Sequence, residues 1–254
     1  MDQSRRSFLV KSGIGIAALV NIPAIVSAVI PGSSERKNNH YPMFKRGSTI
    51  LFQGDSITEY GREKEKELPN NAFSIGPGYV YLLTAQLMKT LPNRELIIYN
   101  RGISGNKVFQ LANRWQKDCL DLKPDILSIL IGVNDYWYLR NGMYDGTVAD
   151  YERDYRALLN RTKEHLPDVT LIIGQPFVLP NTEAVDESWI EPMKGYQQAA
   201  KRVADDFNTL WVPYQQVFNE ALKYAPANYW TTDGVHPSVA GTQLMAEAWL
   251  KVVS

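Results

Sequence analysis

The chain has 254 residues, 44% hydrophobic and 21% charged, with 27 basic and 27 acidic side chains. That fits one globular domain with a sizeable core, and the even charge argues against a protein built to hold a polyanion, so nucleic acid is not an expected partner. The single cysteine, Cys119, cannot form an internal disulfide and lies on an apolar helical stripe, where a buried, inert thiol is expected.

In chain order, the first stretch reads as an address rather than as part of the fold. Ser4-Arg5-Arg6-Ser7-Phe8-Leu9-Val10-Lys11 precedes an apolar run from Gly13 that ends in Val26-Ser27-Ala28. A charged start, a short apolar run and a small-residue end describe an export signal. The paired arginines before Phe-Leu resemble a twin-arginine signal. Asn21 and Pro23 interrupt the run, which is too short for a comfortable membrane span. Residues 1–28 are therefore expected to engage the export machinery and to send the protein to the periplasm or outside the cell, with an ordinary basic export signal or an uncleaved anchor as the alternatives to the twin-arginine type. Without them the chain keeps 24 basic and 26 acidic residues. Residues 29–45, rich in Pro, Ser, Asn and Lys, read as a linker, and 46–254 as the domain.

Within the domain, short β-rich runs at 49–53, 96–100, 126–131, 170–174 and 210–212 alternate with helical patterns at 79–90, 108–122, 151–166, 193–207 and 239–252. Strand and helix alternating in this way predict a parallel sheet covered on both faces by helices. Residues 59–77 are charged and then Gly/Pro-rich. They read as a long loop that either covers a site or is simply solvated.

Four polar stretches punctuate this pattern. Gly54-Asp55-Ser56 ends the first strand, where a glycine can turn the chain sharply and lift the next side chains out of the sheet. The carboxyl end of a strand is where open α/β sheets bind ligands. Ser56 is a candidate nucleophile there; the alternative is that Asp55 and Ser56 only cap the next segment. Asn100-Arg101-Gly102-Ile103-Ser104-Gly105-Asn106 follows the second strand, and its glycines let backbone N–H groups approach a bound atom; the alternative is a tight strand-to-helix turn with Asn106 near the helix start. Gly132-Val133-Asn134-Asp135 follows the third strand, and Asn134 offers a neutral donor suited to a developing oxyanion. Asp233-Gly234-Val235-His236-Pro237 precedes the last helix. The other two histidines fall in the linker (His40) and near a helix end (His165), so His236 is the plausible base, with Asp233 close enough to orient it. A nucleophile, neutral donors and an Asp–His pair are the parts acyl transfer requires.

These blocks, in this order, resemble the SGNH hydrolases, also called GDSL-type esterases, through nearly the whole mature chain. The resemblance implies a three-layer α/β/α sandwich on a five-stranded parallel, flavodoxin-like sheet. It implies Ser56 as nucleophile, His236 as base and acid, and Asp233 as its orienting group. It also implies an oxyanion hole of the Ser56 and Gly105 N–H groups with the Asn134 side chain, and no cofactor or metal. The longer runs around Ser56 and Gly105 look most like the carbohydrate-esterase type. Trp137 and Trp230 flank the site and, with Asp55, are the candidate substrate contacts, which together with the export signal favours O-acetyl groups on a carbohydrate; the alternative is that these aromatics pack between loop and core. Lysophospholipase, arylesterase or thioesterase activity is the alternative within the family. From other classes, Asp55, Asp135, Asp233 and His236 offer oxygen and imidazole ligands to a divalent metal, and a non-catalytic carbohydrate-binding protein on the same fold is the remaining reading.

Overall fold

A computed structural model describes residues 22–30 and 41–254. Thr49–Gly54 (β1), Ile97–Asn100 (β2), Ile126–Leu130 (β3), Thr170–Gly174 (β4) and Leu210–Val212 (β5) form one parallel sheet in the order β2-β1-β3-β4-β5. The helices are α1 (Ile22–Val29), α2 (Ser56–Glu59), α3 (Ala72–Ile75), α4 (Tyr79–Thr90), α5 (Val108–Asp118), α6 (Val133–Arg140), α7 (Val148–His165), α8 (Ile190–Asp206), α9 (Tyr214–Ala221), α10 (Ala227–Trp230) and α11 (Val239–Val253). Helices α5, α7 and α8 pack as one group, and α4, α9 and α11 as another. This is the expected α/β/α sandwich with flavodoxin-like strand order.

The central strands are continuous apolar runs because both their faces are covered. β3 is buried at every position. Its one polar residue, Ser128, accepts a 3.0 Å hydrogen bond from the Trp249 indole of α11, so the hydroxyl is not left unpaired in the core. Cys119 is fully buried, and burial pushes its thiol well above the usual range. The strand order reverses direction at β1, which pairs with β2 on one side and β3 on the other. The crevice beyond the carboxyl ends of β1 and β3 is therefore the natural ligand site. Gly54 ends β1 there under tight constraint. A Cβ on it would collide with the Leu130 carbonyl and the Thr58 hydroxyl, so a larger residue would push β1 and β3 apart.

Several segments differ from expectation. The 108–122 helix stops at Asp118, and Leu120–Leu122 makes a 3-10 turn closed by Lys123 in the left-handed region. Residues 59–77 are not a solvated excursion: they include α3, and Glu59 and Arg62 are buried. Asn70 in this segment lies along the free edge of β2, giving its N–H to the Ile98 carbonyl (3.0 Å) and accepting from Ile98 N–H (2.9 Å). The edge strand is thereby covered. Part of the expected linker also belongs to the packed domain. Tyr41 and Phe44 are buried, and Phe44 stacks on Trp249 at 6.2 Å, so residues 41–45 pack with the domain ahead of the expected boundary at 46.

Inside the expected export signal, α1 packs against α9 and α11 and buries Ile25 and Val26. The arginine pair, the apolar run through Val20 and residues 31–40 lie outside the described residues. Among the described residues no helix is long and apolar enough to cross a membrane.

Candidate active site

The four polar stretches converge on the crevice beyond β1. Ser56 is the first residue of α2, whose N-cap is Asp55: the Asp55 Oδ1 accepts the Ile57 N–H at 3.0 Å. Ser56 Oγ lies 2.8 Å from His236 Nε2. His236 Nδ1 lies 2.6 Å from Asp233 Oδ2, while Asp233 Oδ1 accepts the N–H groups of His236 (2.8 Å) and Val235 (2.9 Å). One carboxylate thus fixes both the ring and the backbone of the histidine. The hydrogen bond that Asp233 accepts from Nδ1 raises the imidazole pKa above its usual 6.5, against the opposing effect of burial. Burial pulls Asp233 upward, but its hydrogen bonds from His236 and Val235 outweigh it, and its pKa lies below the ordinary carboxylate value. The pair is therefore polarised toward imidazolium and carboxylate, the charge distribution that develops when a serine loses its proton.

The Asp–His loop is held from three sides. Thr232 N–H reaches the His236 carbonyl at 2.8 Å and closes the loop on itself. The segment after β4 clamps it: Thr182 Oγ1 and Ala184 N–H both donate to the Asp233 carbonyl, at 2.7 and 3.0 Å, and Leu179 N–H donates to that of Gly234. The Tyr60 hydroxyl, just past α2, donates to the Pro237 carbonyl at 2.7 Å and joins the serine side to the histidine side.

Gly105 has φ +76°, a conformation that favours glycine. Its loop is tied to β1 by Arg101 N–H to Phe52 O (2.8 Å) and Ile103 N–H to Gly54 O (3.1 Å). The Asn100 side chain bridges the Thr58 and Ile75 carbonyls at 2.6 and 2.7 Å and accepts Gly102 N–H. Glu59 accepts the Ser104 N–H, and Arg62 donates to the Gly102 carbonyl. Asn134, near the start of α6, is buried and gives one amide hydrogen to the Asn106 carbonyl at 3.3 Å. That bond anchors the amide beside the Gly105 loop and leaves its second hydrogen for a ligand.

The candidate substrate contacts divide. Trp137 is half-buried, packed edge-on against Trp189, with its ring centre 6.3 Å from that of His236. Trp230 is not a surface platform. It is fully buried, and its indole N–H donates to the Ala221 and Ala225 carbonyls, so it roots the Asp–His loop in the core. Asp55 is likewise buried beneath the site and committed to its cap. Nor do Asp55, Asp135, Asp233 and His236 gather as metal ligands. Asp135 accepts the Val108 N–H, Asp233 is spent on His236, and no grouping of three or more such residues that could hold a metal occurs among the described residues. Burial raises both Asp55 and Asp135 to about 7. Asn100, Tyr60, Glu59 and Thr182 position the site but carry no sequence signal beyond, for Asn100, its place in the second block.

The sequence model of the GDSL-like lipase/acylhydrolase family matches residues 52–244. An acetylxylan esterase of Geobacillus stearothermophilus is 37% identical over 213 residues, spanning 82% of this chain and 94% of that protein. A crystal structure of an acetylxylan esterase from the same organism superposes with a TM-score of 0.75 at 33% identity, over 84% of this chain and 96% of that one. A Parabacteroides merdae protein described as a GDSL-like lipase superposes with a TM-score of 0.81 at 46% identity, over 83% and 97%. On fold, block order and these similarities together, the chain belongs to the GDSL-like lipase/acylhydrolase family and is a carboxylic ester hydrolase.

Proposed function

We propose that the protein removes O-acetyl groups from a carbohydrate through an acyl-enzyme on Ser56. The observation that carries the acyl-enzyme is the unbroken Ser56–His236–Asp233 hydrogen-bond chain, with the anchored Asn134 amide on the same edge of the sheet. Ser56 Oγ attacks the ester carbonyl as His236 Nε2 takes its proton, and Asp233 holds the resulting imidazolium. The carbonyl oxygen becomes an oxyanion received by the N–H groups of Ser56 and Gly105 and by Asn134. His236 then protonates the leaving sugar oxygen. Water, deprotonated by the same imidazole, releases acetate and restores Ser56.

The acetyl and carbohydrate assignments rest on the relative named as an acetylxylan esterase. Among that esterase's structures, a serine-to-alanine and an aspartate-to-alanine variant are each described as catalytic mutants. Trp137 beside His236 supplies an aromatic face on the leaving-group side, where a sugar ring would lie. The Arg5-Arg6 leader supports an exported enzyme that meets polysaccharide outside the cytoplasm.

The test is acid release, acetate from acetylated xylooligosaccharides and acetylated pectin fragments and fatty acid from a lysophospholipid, with Ser56→Ala as the blank. Release from an acetylated oligosaccharide that Ser56→Ala abolishes supports the reading. Preference for the lysophospholipid overturns it.

A further inference from the structure

Lys107 presents a problem that the reaction does not solve. Its residue is only 6% exposed, yet no carboxylate among the described residues lies within ion-pairing distance of its ammonium. Instead the ammonium sits among aromatic rings: 4.0 Å from the centre of Tyr138, 5.3 Å from Tyr144 and 5.6 Å from Phe109, with Phe109 and Tyr144 stacked on each other. Burial holds its pKa below the usual lysine value, opposed by the buried Asp135 carboxyl. Burying a charge in this way is costly unless the cage returns something, and a cation held over a ring face in a desolvated setting fixes that ring.

The ring it fixes is the one beside the oxyanion site. A Cβ placed on Gly105 would lie 3.0 Å from the Tyr138 hydroxyl, with no other non-neighbouring atom within 3.4 Å. Tyr138 and Trp137 are consecutive on α6, so their side chains diverge by about 100°. Trp137 stands against His236, which protonates the leaving oxygen. Tyr138 stands against Gly105. An ester with its carbonyl oxygen at Gly105 and Asn134 and its leaving oxygen at His236 has its acyl substituent on the side away from the imidazole.

We propose that Tyr138 determines acyl-chain specificity by closing the acyl side of the site next to Gly105, and that the caged ammonium of Lys107 is the brace holding it there. The inference rests on the reading of Ser56 as the nucleophile of an acetyl esterase, and it names what restricts that enzyme to short acyl groups. Removing the ring opens space for further methylenes. Removing the charge while keeping the aliphatic stem loosens the ring.

The experiment compares kcat/KM for p-nitrophenyl acetate and p-nitrophenyl butyrate in the wild type, Tyr138→Ala, Tyr138→Phe and Lys107→Met, with folding checked by circular dichroism. One pocket methylene is worth roughly 10–200-fold in discrimination, so two give an expected wild-type preference for acetate of about 100-fold or more. Tyr138→Ala is expected to cut that ratio at least about tenfold, mainly by raising the butyrate rate. Lys107→Met should shift it the same way by about threefold, while Tyr138→Phe, which keeps the ring under the ammonium, should hold it within about threefold. A folded Tyr138→Ala whose ratio is unchanged, or which loses both esters equally, overturns the proposal. Should Tyr138→Ala not fold, an unchanged ratio in Lys107→Met overturns it. A wild type that takes butyrate as fast as acetate refutes this proposal and leaves ester hydrolysis standing. A wild type inactive on both esters removes the functional reading as well.

Discussion

Asp135→Asn should stabilise the protein, and more so as pH rises. Asp135 is 1% exposed; its Oδ1 accepts the Val108 N–H at 3.3 Å and its Oδ2 has no hydrogen-bond partner. Burial raises its carboxyl from 3.8 to about 7, with the neighbouring Asp55 pushing the same way and Lys107 opposing. The folded state therefore binds a proton that the unfolded chain releases between those values. Stability from this group is fully present below 3.8 and is lost as pH rises through 7. A shift of about three units corresponds to about 4 kcal/mol between those limits. Asparagine keeps the acceptor for Val108, never ionises, and places amide donors near the Asp55 carboxyl, whose Oδ2 is also unpartnered. The variant's advantage should grow from about 1 kcal/mol at pH 4.5 to as much as about 4 kcal/mol at pH 9. For a domain of this size that is a Tm difference of roughly 5–15 °C at the alkaline end. Thermal and urea unfolding of both proteins at pH 4.5, 6.5 and 9 measure it. An advantage independent of pH, or a variant less stable than wild type at pH 9, would refute the reasoning.

Other consequences can be measured together. The acid limb of kcat/KM should have its midpoint above 6.5, because Asp233 raises the His236 imidazole and only the neutral ring accepts a proton; Asp233→Asn should move the midpoint down and lower kcat, and a limb that stays in place would contradict the polarised pair. Asn134→Ala should cost about a hundred- to a thousandfold in kcat with little change in KM, as for one oxyanion donor, and steady-state kinetics on p-nitrophenyl acetate will show whether KM moves instead. Trp230→Ala should destabilise by about 3–5 kcal/mol through a core cavity, whereas Trp137→Ala should lower Tm less and raise KM for an oligosaccharide more than for the nitrophenyl ester.

The sequence was most informative where chemistry restricts the choice of residue. The convergence of Ser56, Gly105, Asn134, Asp233 and His236 on one edge was legible because each sits at the end of a strand or before the last helix, and their order is itself a signal. The strands were legible because doubly covered strands are uninterrupted apolar runs. Helix α6 was not foreseen because Val-Asn-Asp-Tyr-Trp-Tyr-Leu-Arg has no single apolar face: the helix is set by the crevice it borders, not by its own periodicity. Trp230 misled because an aromatic next to a catalytic loop has the same local sequence whether it faces solvent or roots the loop, and only packing decides. Residues 59–77 looked solvated because their charges are paired in space, as Glu67 with Arg101 and Glu59 with the Gly105 loop, across separations that no local pattern records.

The central claim is that Ser56 is a nucleophile activated by His236. A fluorophosphonate probe, with the labelled peptide located by mass spectrometry, tests it most directly. The account predicts one label per chain, on Ser56, with esterase activity lost in proportion and labelling much slower in His236→Ala. A label on another residue, or full turnover by protein labelled at Ser56, would contradict it.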